Sequence, residues 1–180
     1  MLYAFGFERT AVVVGDLYFV NPDPEPGQEG PEQGVRLEVR LLDRAERSGT
    51  IYSAQPIAVD RPIWRADLLE SVTSPGTLDR AHHHPRFRGW EPGPRRFDPA
   101  MSADPVAWVG TRLSDLDGLV GAGASGPAEA VVGSSDAADL RAAVAEILDV
   151  VRRLLDRVRN GELAQPPTGD APDSARVGWL

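Results

Sequence analysis

The chain has 180 residues, a length usual for one domain, and 42% of them are hydrophobic, which is enough to build a sizeable core. Its formal net charge of -8 argues against a protein that coats nucleic acid or binds anionic lipid over a large surface. Because the chain contains no cysteine, a disulfide, a thiolate nucleophile and a thiolate metal site are all excluded.

The first residues of the chain predict a cytoplasmic protein. Residues 1–9 contain neither the basic leader nor the apolar core of a secretory signal. No apolar run approaches the roughly 18 residues that a membrane-spanning helix needs. We therefore expect a cytoplasmic location and no membrane partner.

The first half of the chain has the pattern of antiparallel strands. Residues 10–20 are rich in β-branched and aromatic side chains, and residues 21–34 then form an acidic, proline-rich loop. Residues 35–41 alternate strictly between apolar and charged side chains, which is typical of a strand with one face in the core. Residues 57–69 continue the strand pattern, but Pro62 implies an edge, a bulge or a break. The charged face of the 35–41 strand carries Arg36, Glu38 and Arg40.

The second half of the chain predicts two helices. Asp104 precedes a proline, as an N-cap residue often does, and apolar residues then recur at helical spacing over about four turns. Residues 121–135 are rich in glycine, alanine and serine, and they predict a flexible linker. Residues 136–161 carry a continuous apolar stripe and end at Asn160 and a glycine.

These patterns predict an α+β fold, in which an antiparallel sheet of about four or five strands is covered on one face by two helices. The expected organisation is an α+β core at 1–120, a flexible linker at 121–135, an amphipathic helix at 136–161 and a disordered tail at 162–180. We favour packing of the helix on its own sheet over packing on a second subunit. A protein partner or a second copy could bind through the 136–160 helix or through the apolar Trp179 and Leu180.

Residues 79–97 concentrate the chemistry of the chain. They hold all three histidines, five arginines and three aromatic rings. A hairpin formed by residues 64–71 and 78–90 would bring this segment beside an Arg-x-Asp motif on the preceding strand. We therefore expect the main functional site of the protein here.

Which histidines join the Arg-x-Asp motif depends on the strand register. One register places His83 beside Arg65 and Asp67, and a slip of one residue places His82 and His84 there instead. Both alternatives stay open in the sequence. Either one gathers an imidazole, a guanidinium and a carboxylate on the solvent side of the hairpin, which is a workable set for acid–base catalysis at a phosphate.

Two groups of candidate site residues follow from this segment. The catalytic candidates are Arg65, Asp67, His82, His83 and His84. A second group mixes cations with a ring that can stack on a base, which suits binding of nucleic acid or a protein partner. That group consists of Arg86, Arg88, Trp90, Arg95 and Arg96.

A metal site is not predicted. His82 and His84 could supply two imidazoles to one ion, but the carboxylate expected a few residues later is missing, since residues 86–89 are Arg-Phe-Arg-Gly. We therefore expect neither a metal nor another cofactor.

The order of the motifs resembles that of the TumE-type ribonuclease toxins of toxin–antitoxin pairs. An Arg-x-Asp motif is followed by a turn with glycine, by Asp-x-x-His-His-His at residues 79–84 and by an amphipathic helix from Asp104. The resemblance covers residues 35–120 and implies an RNA-cleaving role for four residues, Arg65, Asp67, His82 and His84. The chain is also similar to conserved proteins of high-GC bacteria.

Two functions remain as hypotheses. We favour partner binding, without enzymatic activity, through the surface around Arg65, Asp67 and residues 82–84. The alternative is a metal-independent RNA-cleaving hydrolase that uses the same residues, with RNA as its partner. A catalytic cluster would lie beside a concave pocket with imidazole and carboxylate within hydrogen-bonding reach, whereas an interaction surface would be flat and rimmed by arginines.

Overall fold

A six-stranded, antiparallel sheet is the centre of the fold in a computed structural model of the protein. The structure describes residues 1–46, 48–123, 134–169 and 174–178. The strands of this sheet are β1 (Leu2–Gly6), β2 (Thr10–Val20), β3 (Pro31–Arg44), β4 (Ile57–Ser71), β5 (His82–His84) and β8 (Ala175–Gly178). Strands β6 (Phe87–Arg88) and β7 (Glu91–Pro92) form a separate hairpin. Strands β1 to β5 lie side by side in chain order, and β8 pairs with the second half of β2.

The described part of the chain also contains four helices: α1 (Pro99–Ala103), α2 (Pro105–Leu113), α3 (Leu116–Gly123) and α4 (Ser134–Arg159). Apolar side chains from alternate positions of β2, β3 and β4 pack with these helices into one core. The apolar stripe of α4 packs on the sheet of its own chain, and Ile147, Val151 and Leu154 are fully buried there. The prediction of an α+β fold with an antiparallel sheet is thus confirmed, with more helices than expected.

The helix predicted from Asp104 is two helices in the structure. Asp104 caps α2 as expected, because its side chain accepts a hydrogen bond from Ala107 N. The helix then ends at Leu113 with Ser114 as its C-cap, and the carboxylate of Asp115 accepts a hydrogen bond from Gly118 N. Asp115 is therefore the cap of a new helix, α3, so the local side-chain hydrogen bond overrides the continuous apolar spacing.

The C-terminal segment differs from the predicted disordered tail. Residues 175–178 form β8, which pairs with β2 from Leu17 to Val20. The pairing has a physical reason, since β1 pairs only with residues 11–15 of β2 and leaves the rest of that edge without a neighbour. Residues 124–133 of the predicted linker, like Trp179 and Leu180, lie outside the described residues.

The ladder between β3 and β4 is irregular next to Pro62. The register shifts on both sides of Arg40, which pairs with Pro62, as expected where a proline cannot donate a ladder hydrogen bond. The Nε of Arg40 instead donates to the carbonyl oxygen of Asp60, at 2.8 Å. Within the four described ranges, no helix combines the length and the apolar composition that crossing a membrane requires.

The packing of α4 can be tested by placing the same charge on its two faces. Leu148→Asp buries a carboxylate without a partner against α2, where the Cδ1 of Leu148 would lie 2.8 Å from a Cβ at Gly110. We expect it to lower the free energy of unfolding by about 3–5 kcal/mol. Ala145→Asp, on the exposed face, should change that free energy by less than about 0.5 kcal/mol. Urea unfolding followed by circular dichroism measures both, and equal effects would contradict the packing.

Candidate functional site

The register between β4 and β5 selects two of the three histidines. Asp67 pairs with His82 and Arg65 pairs with His84, so these four side chains share one face of the sheet. His83 pairs with Ala66 and points to the helical side, where its ring centroid lies 4.8 Å from that of Trp108. Burial lowers the pKa of His83 to about 4. The structure therefore separates His83 from the other catalytic candidates.

The face that holds these residues is buried, so the prediction that they lie on a solvent side is wrong. Asp67 and His82 are each only 1% exposed. The segment after β5 covers them: the ring of Phe87 lies 5.6 Å from the Arg65 guanidinium carbon, and the ring of Phe97 lies 5.7 Å from that of His82. The alternation of the strands indicated which side chains share a face, but not that a second segment covers it.

The carboxylate of Asp67 is the centre of a group of five side chains, which we call the Asp67 cluster. Arg36 Nε donates to Oδ1 at 2.6 Å, and Arg65 Nε lies 3.2 Å from Oδ2. The Nε2 atoms of His82 and His84 lie 3.3 Å and 3.6 Å from the same Oδ2. Burial opposes the charge of Asp67, but the two guanidiniums and the imidazoles hold its pKa well below the usual range.

Both imidazoles of the cluster are oriented by backbone carbonyls. The Nδ1 of His82 is 2.7 Å from the oxygen of Arg80, and that of His84 is 2.6 Å from the oxygen of Gly93. Because a carbonyl oxygen only accepts, each Nδ1 must be the donor. In a neutral ring the Nε2 atom then carries a lone pair and can accept a proton. Only the protonated Nε2 can donate a hydrogen bond to the carboxylate of Asp67, so this carboxylate favours the imidazolium and the imidazolium lowers the pKa of Asp67. Burial lowers the pKa of His84, which favours this neutral form.

A second carboxylate, that of Glu38, lies on the same face of the sheet as the Asp67 cluster. Glu38 on β3 pairs with Arg65 on β4, which pairs in turn with His84. Its Oε1 is 3.7 Å from Arg65 Nη1, and its Oε2 is 3.6 Å from Arg40 Nε. Burial raises the pKa of Glu38, although the three neighbouring arginines oppose this shift.

A cavity of about 330 Å³ opens on this face beside the Asp67 cluster. We call it the arginine cavity, because four guanidiniums and a single carboxylate line it together with apolar side chains. The lining residues are Arg36, Glu38, Arg40, Pro62, Arg65, Phe87, Trp90 and Arg176. His82 and His84 do not line the cavity. They lie on β5, and Asp67 and Arg65 on β4 separate them from the residues of β3.

Sequence reasoning missed most of the residues that line this cavity. Arg36, Glu38 and Arg40 were visible as the charged face of β3, but their alternation fitted a solvated face equally well. The sequence predicts a disordered tail at Arg176, whereas in the structure this residue lies on β8 and lines the cavity. The sequence does contain one indication of the cavity. Charged side chains at alternate positions of β3 lie next to the Arg-x-Asp strand, and opposite charges on adjacent strands tend to pair.

The predicted binding residues are dispersed in the structure. Of these five, Trp90 alone lines the arginine cavity. Arg95 is paired with the buried Glu32 at 2.9 Å. Arg86 and Arg96 are exposed beside a separate cavity of about 300 Å³, and Arg88 is exposed on β6.

The cluster contains a set of metal-ligand types that the local sequence lacked. One ligand atom each of Asp67, His82 and His84 lies within 4.8 Å of the others, and Asp67 supplies the missing carboxylate from the adjacent strand. The same carboxylate already contacts the guanidiniums of Arg36 and Arg65. A divalent cation would have to displace or repel both, so a cluster without metal stays our prediction.

Comparisons with known proteins provide no further guide to the site. No protein-family model, no curated protein and no solved structure matches the chain. The resemblance to TumE-type toxins therefore stays a prediction that depends on the residues alone.

The role of Asp67 can be tested by removing its charge while keeping its shape. Asp67→Asn removes the carboxylate that contacts the buried Arg36 and one of the two that contact Arg65, and we expect it to lower the free energy of unfolding by about 3–5 kcal/mol. Asp43→Asn, an exposed position on β3, is the control and should have almost no effect. Since the folded pKa of Asp67 lies below the ordinary 3.8, the stabilisation is present above that pH and lost as pH falls through the folded value.

Urea unfolding of both variants at pH 7 gives the comparison. If Asp67→Asn lowers the free energy of unfolding by less than about 1 kcal/mol, the effect equals that of an ordinary exposed ion pair, which would contradict the buried network.

Proposed function

We propose that the protein is a metal-independent hydrolase that cleaves RNA. One observation carries the proposal: two imidazoles lie 3.3 Å and 3.6 Å from a buried carboxylate, beside a cavity lined by arginines. Such an arrangement supplies a proton acceptor together with electrostatic support for a phosphate. The resemblance to TumE-type ribonucleases rests on four of the same residues.

The charges of the arginine cavity favour an anionic ligand. Arg36, Arg40, Arg65 and Arg176 bring four positive charges, and Glu38 and the adjacent Asp67 bring two negative ones. Burial lowers the pKa of Arg65, which means that its charge is incompletely compensated. A phosphodiester would supply the missing negative charge with oxygens that a guanidinium can bind in pairs. The arginines then perform the charge stabilisation for which other nucleases use a metal ion.

Arg65 is held more loosely than its neighbour Arg36 in the Asp67 cluster. Within the described part of the chain, Arg65 Nε makes no hydrogen bond of normal geometry, whereas Arg36 Nε donates to Asp67 at 2.6 Å. In the proposed reaction the guanidinium of Arg65 turns towards the bound phosphate. This movement opens the path from the cavity to the Nε2 atom of His84.

His84 is the proposed proton acceptor. In RNA cleavage of this type the 2′-oxygen loses its proton and bonds to the neighbouring phosphorus while the bond from phosphorus to the 5′-oxygen breaks. The products are a 2′,3′-cyclic phosphate, which water can open in a second step, and a 5′-hydroxyl, so the leaving 5′-oxygen must receive a proton. The proton passes to Nε2 of His84, and the imidazolium that forms is stabilised by Oδ2 of Asp67 at 3.6 Å. The carbonyl of Gly93 keeps the ring in the required tautomer. His82, held in the same way by the carbonyl of Arg80, is the second imidazole, and in its protonated form it gives a proton from Nε2 to the leaving 5′-oxygen.

Partner binding remains the second candidate function. Because Asp67, His82 and His84 are buried, a protein partner could not contact them directly. It would have to bind the exposed rings of Trp90 and Phe97 at the rim of the site, which are 59% and 49% exposed. A cytoplasmic location, where RNA is abundant, belongs to the same proposal.

Incubation with single-stranded RNA in the presence of a metal chelator tests the activity. We expect cleavage by the wild-type protein, and a loss of about 100-fold or more when His82 and His84 are both replaced by alanine. His83→Ala is the matched control, since this neighbouring histidine faces the helices, and it should retain cleavage if the variant is folded. Absence of cleavage by folded wild-type protein, or full activity of the double variant, would refute the proposal.

The pH dependence of cleavage tests the role of His84 separately. A proton acceptor must be neutral, so the rate should fall as pH decreases through the pKa of His84. Burial lowers that pKa, and the midpoint of the decrease should therefore lie below 6.5, the ordinary value. Single-turnover rates between pH 4 and 8 provide the curve. A rate that increases steadily towards low pH would assign the proton transfer to another group.

A further inference from the structure

Trp90 is an exposed aromatic residue at the tip of a tight hairpin. Strands β6 and β7 pair Phe87 with Pro92 and Arg88 with Glu91, which leaves Gly89 and Trp90 as a two-residue turn. Gly89 has a φ of 61°, a conformation that glycine adopts without strain. The turn holds the indole at the arginine cavity, where it is one of the lining side chains although it is 59% exposed. An indole that is exposed and also lines a cavity can stack on a ring of a bound ligand.

The arginine cavity combines two chemically different walls. Trp90, Phe87 and Pro62 are apolar, whereas four arginines supply positive charge. The guanidinium carbon of Arg40 lies 5.3 Å from the centroid of the indole, so the cationic and aromatic walls are in contact. A nucleotide unit has the same two parts, a planar base that stacks on aromatic rings and a phosphate that binds guanidinium groups.

The size of the cavity and the exposed position of Trp90 favour a single nucleotide in an unpaired strand. The volume of about 330 Å³ lies at the lower end of the range of small-ligand pockets. A base within a duplex is stacked on its neighbours and paired, so it could not lie against an indole at the tip of a hairpin. An unpaired base has a free π-face, which every nucleobase offers whatever its sequence.

We propose that Trp90 forms a nucleobase subsite of the arginine cavity, and that the ligand is one nucleotide unit of single-stranded RNA. This inference rests on the proposed function and adds to it the class of substrate and its orientation, with the base on Trp90 and the phosphate among the arginines. The subsite recognises stacking and not a particular hydrogen-bonding pattern, so cleavage should show little base preference at this position.

Binding of two small ligands to the wild-type protein separates the base from the phosphate. Adenosine 5′-monophosphate carries both groups, ribose 5-phosphate carries the sugar and phosphate alone, and neither contains a phosphodiester to be cleaved. We expect the nucleotide to bind about tenfold more tightly than ribose 5-phosphate by isothermal titration calorimetry. Trp90→Ala should reduce the affinity for the nucleotide to that for ribose 5-phosphate and leave the latter unchanged. Trp90→Phe should keep most of the difference.

Tyr52→Ala is the matched control, because Tyr52 is an aromatic residue that is 90% exposed and does not line the cavity. It should preserve the tenfold difference. Equal affinities of the wild-type protein for the two ligands, no binding of either, or a preference that survives in Trp90→Ala would each overturn the subsite. Failure of the proposed hydrolase is a separate result: RNA would remain intact while the Trp90-dependent preference for the nucleotide persists.

Discussion

The buried carboxylate of Asp67 is the interaction on which the rest of the structure depends. It joins three strands, because Arg36 contacts it from β3 and His82 and His84 from β5, while Asp67 itself lies on β4. A slip of one residue between β4 and β5 would direct both imidazoles to the helical side and leave the charged face with His83 alone. A buried charge without its partners costs several kcal/mol, so the network helps to select the observed register.

The same network explains how a chain with a formal charge of -8 can present a site for an anion. The net charge is a sum over the whole chain, whereas four arginines converge on one cavity from three different strands of the sheet. Arg176 arrives last in the chain, on a strand that fills the free part of the β2 edge. Local charge, and not the net charge, therefore determines which ligands the site attracts.

The sequence predicted the layers of the fold better than it predicted the site. Alternation on β3 correctly indicated which residues share a face, and the apolar stripe of α4 indicated a helix with one buried side. Alternation along a strand does not indicate what covers each of its faces. Residues 85–97 cover the face that holds the Asp67 cluster, and their sequence has no helical or strand periodicity. The observed register of the histidines is favoured by contacts from outside the hairpin, such as the hydrogen bond from Arg36 on β3 to Asp67. Short elements such as β8 are selected by a free sheet edge, so local sequence does not reveal them.

The protonation pattern of the histidines tests the central claim, that the cluster holds imidazoles ready to accept a proton beside Asp67. Long-range proton–nitrogen correlation NMR at pH 7 reports which ring nitrogen carries hydrogen. The structure predicts a proton on Nδ1 of both His82 and His84, where the carbonyls of Arg80 and Gly93 accept it, and a neutral ring for His84. A proton on Nε2 with an unprotonated Nδ1 in either ring would contradict the account.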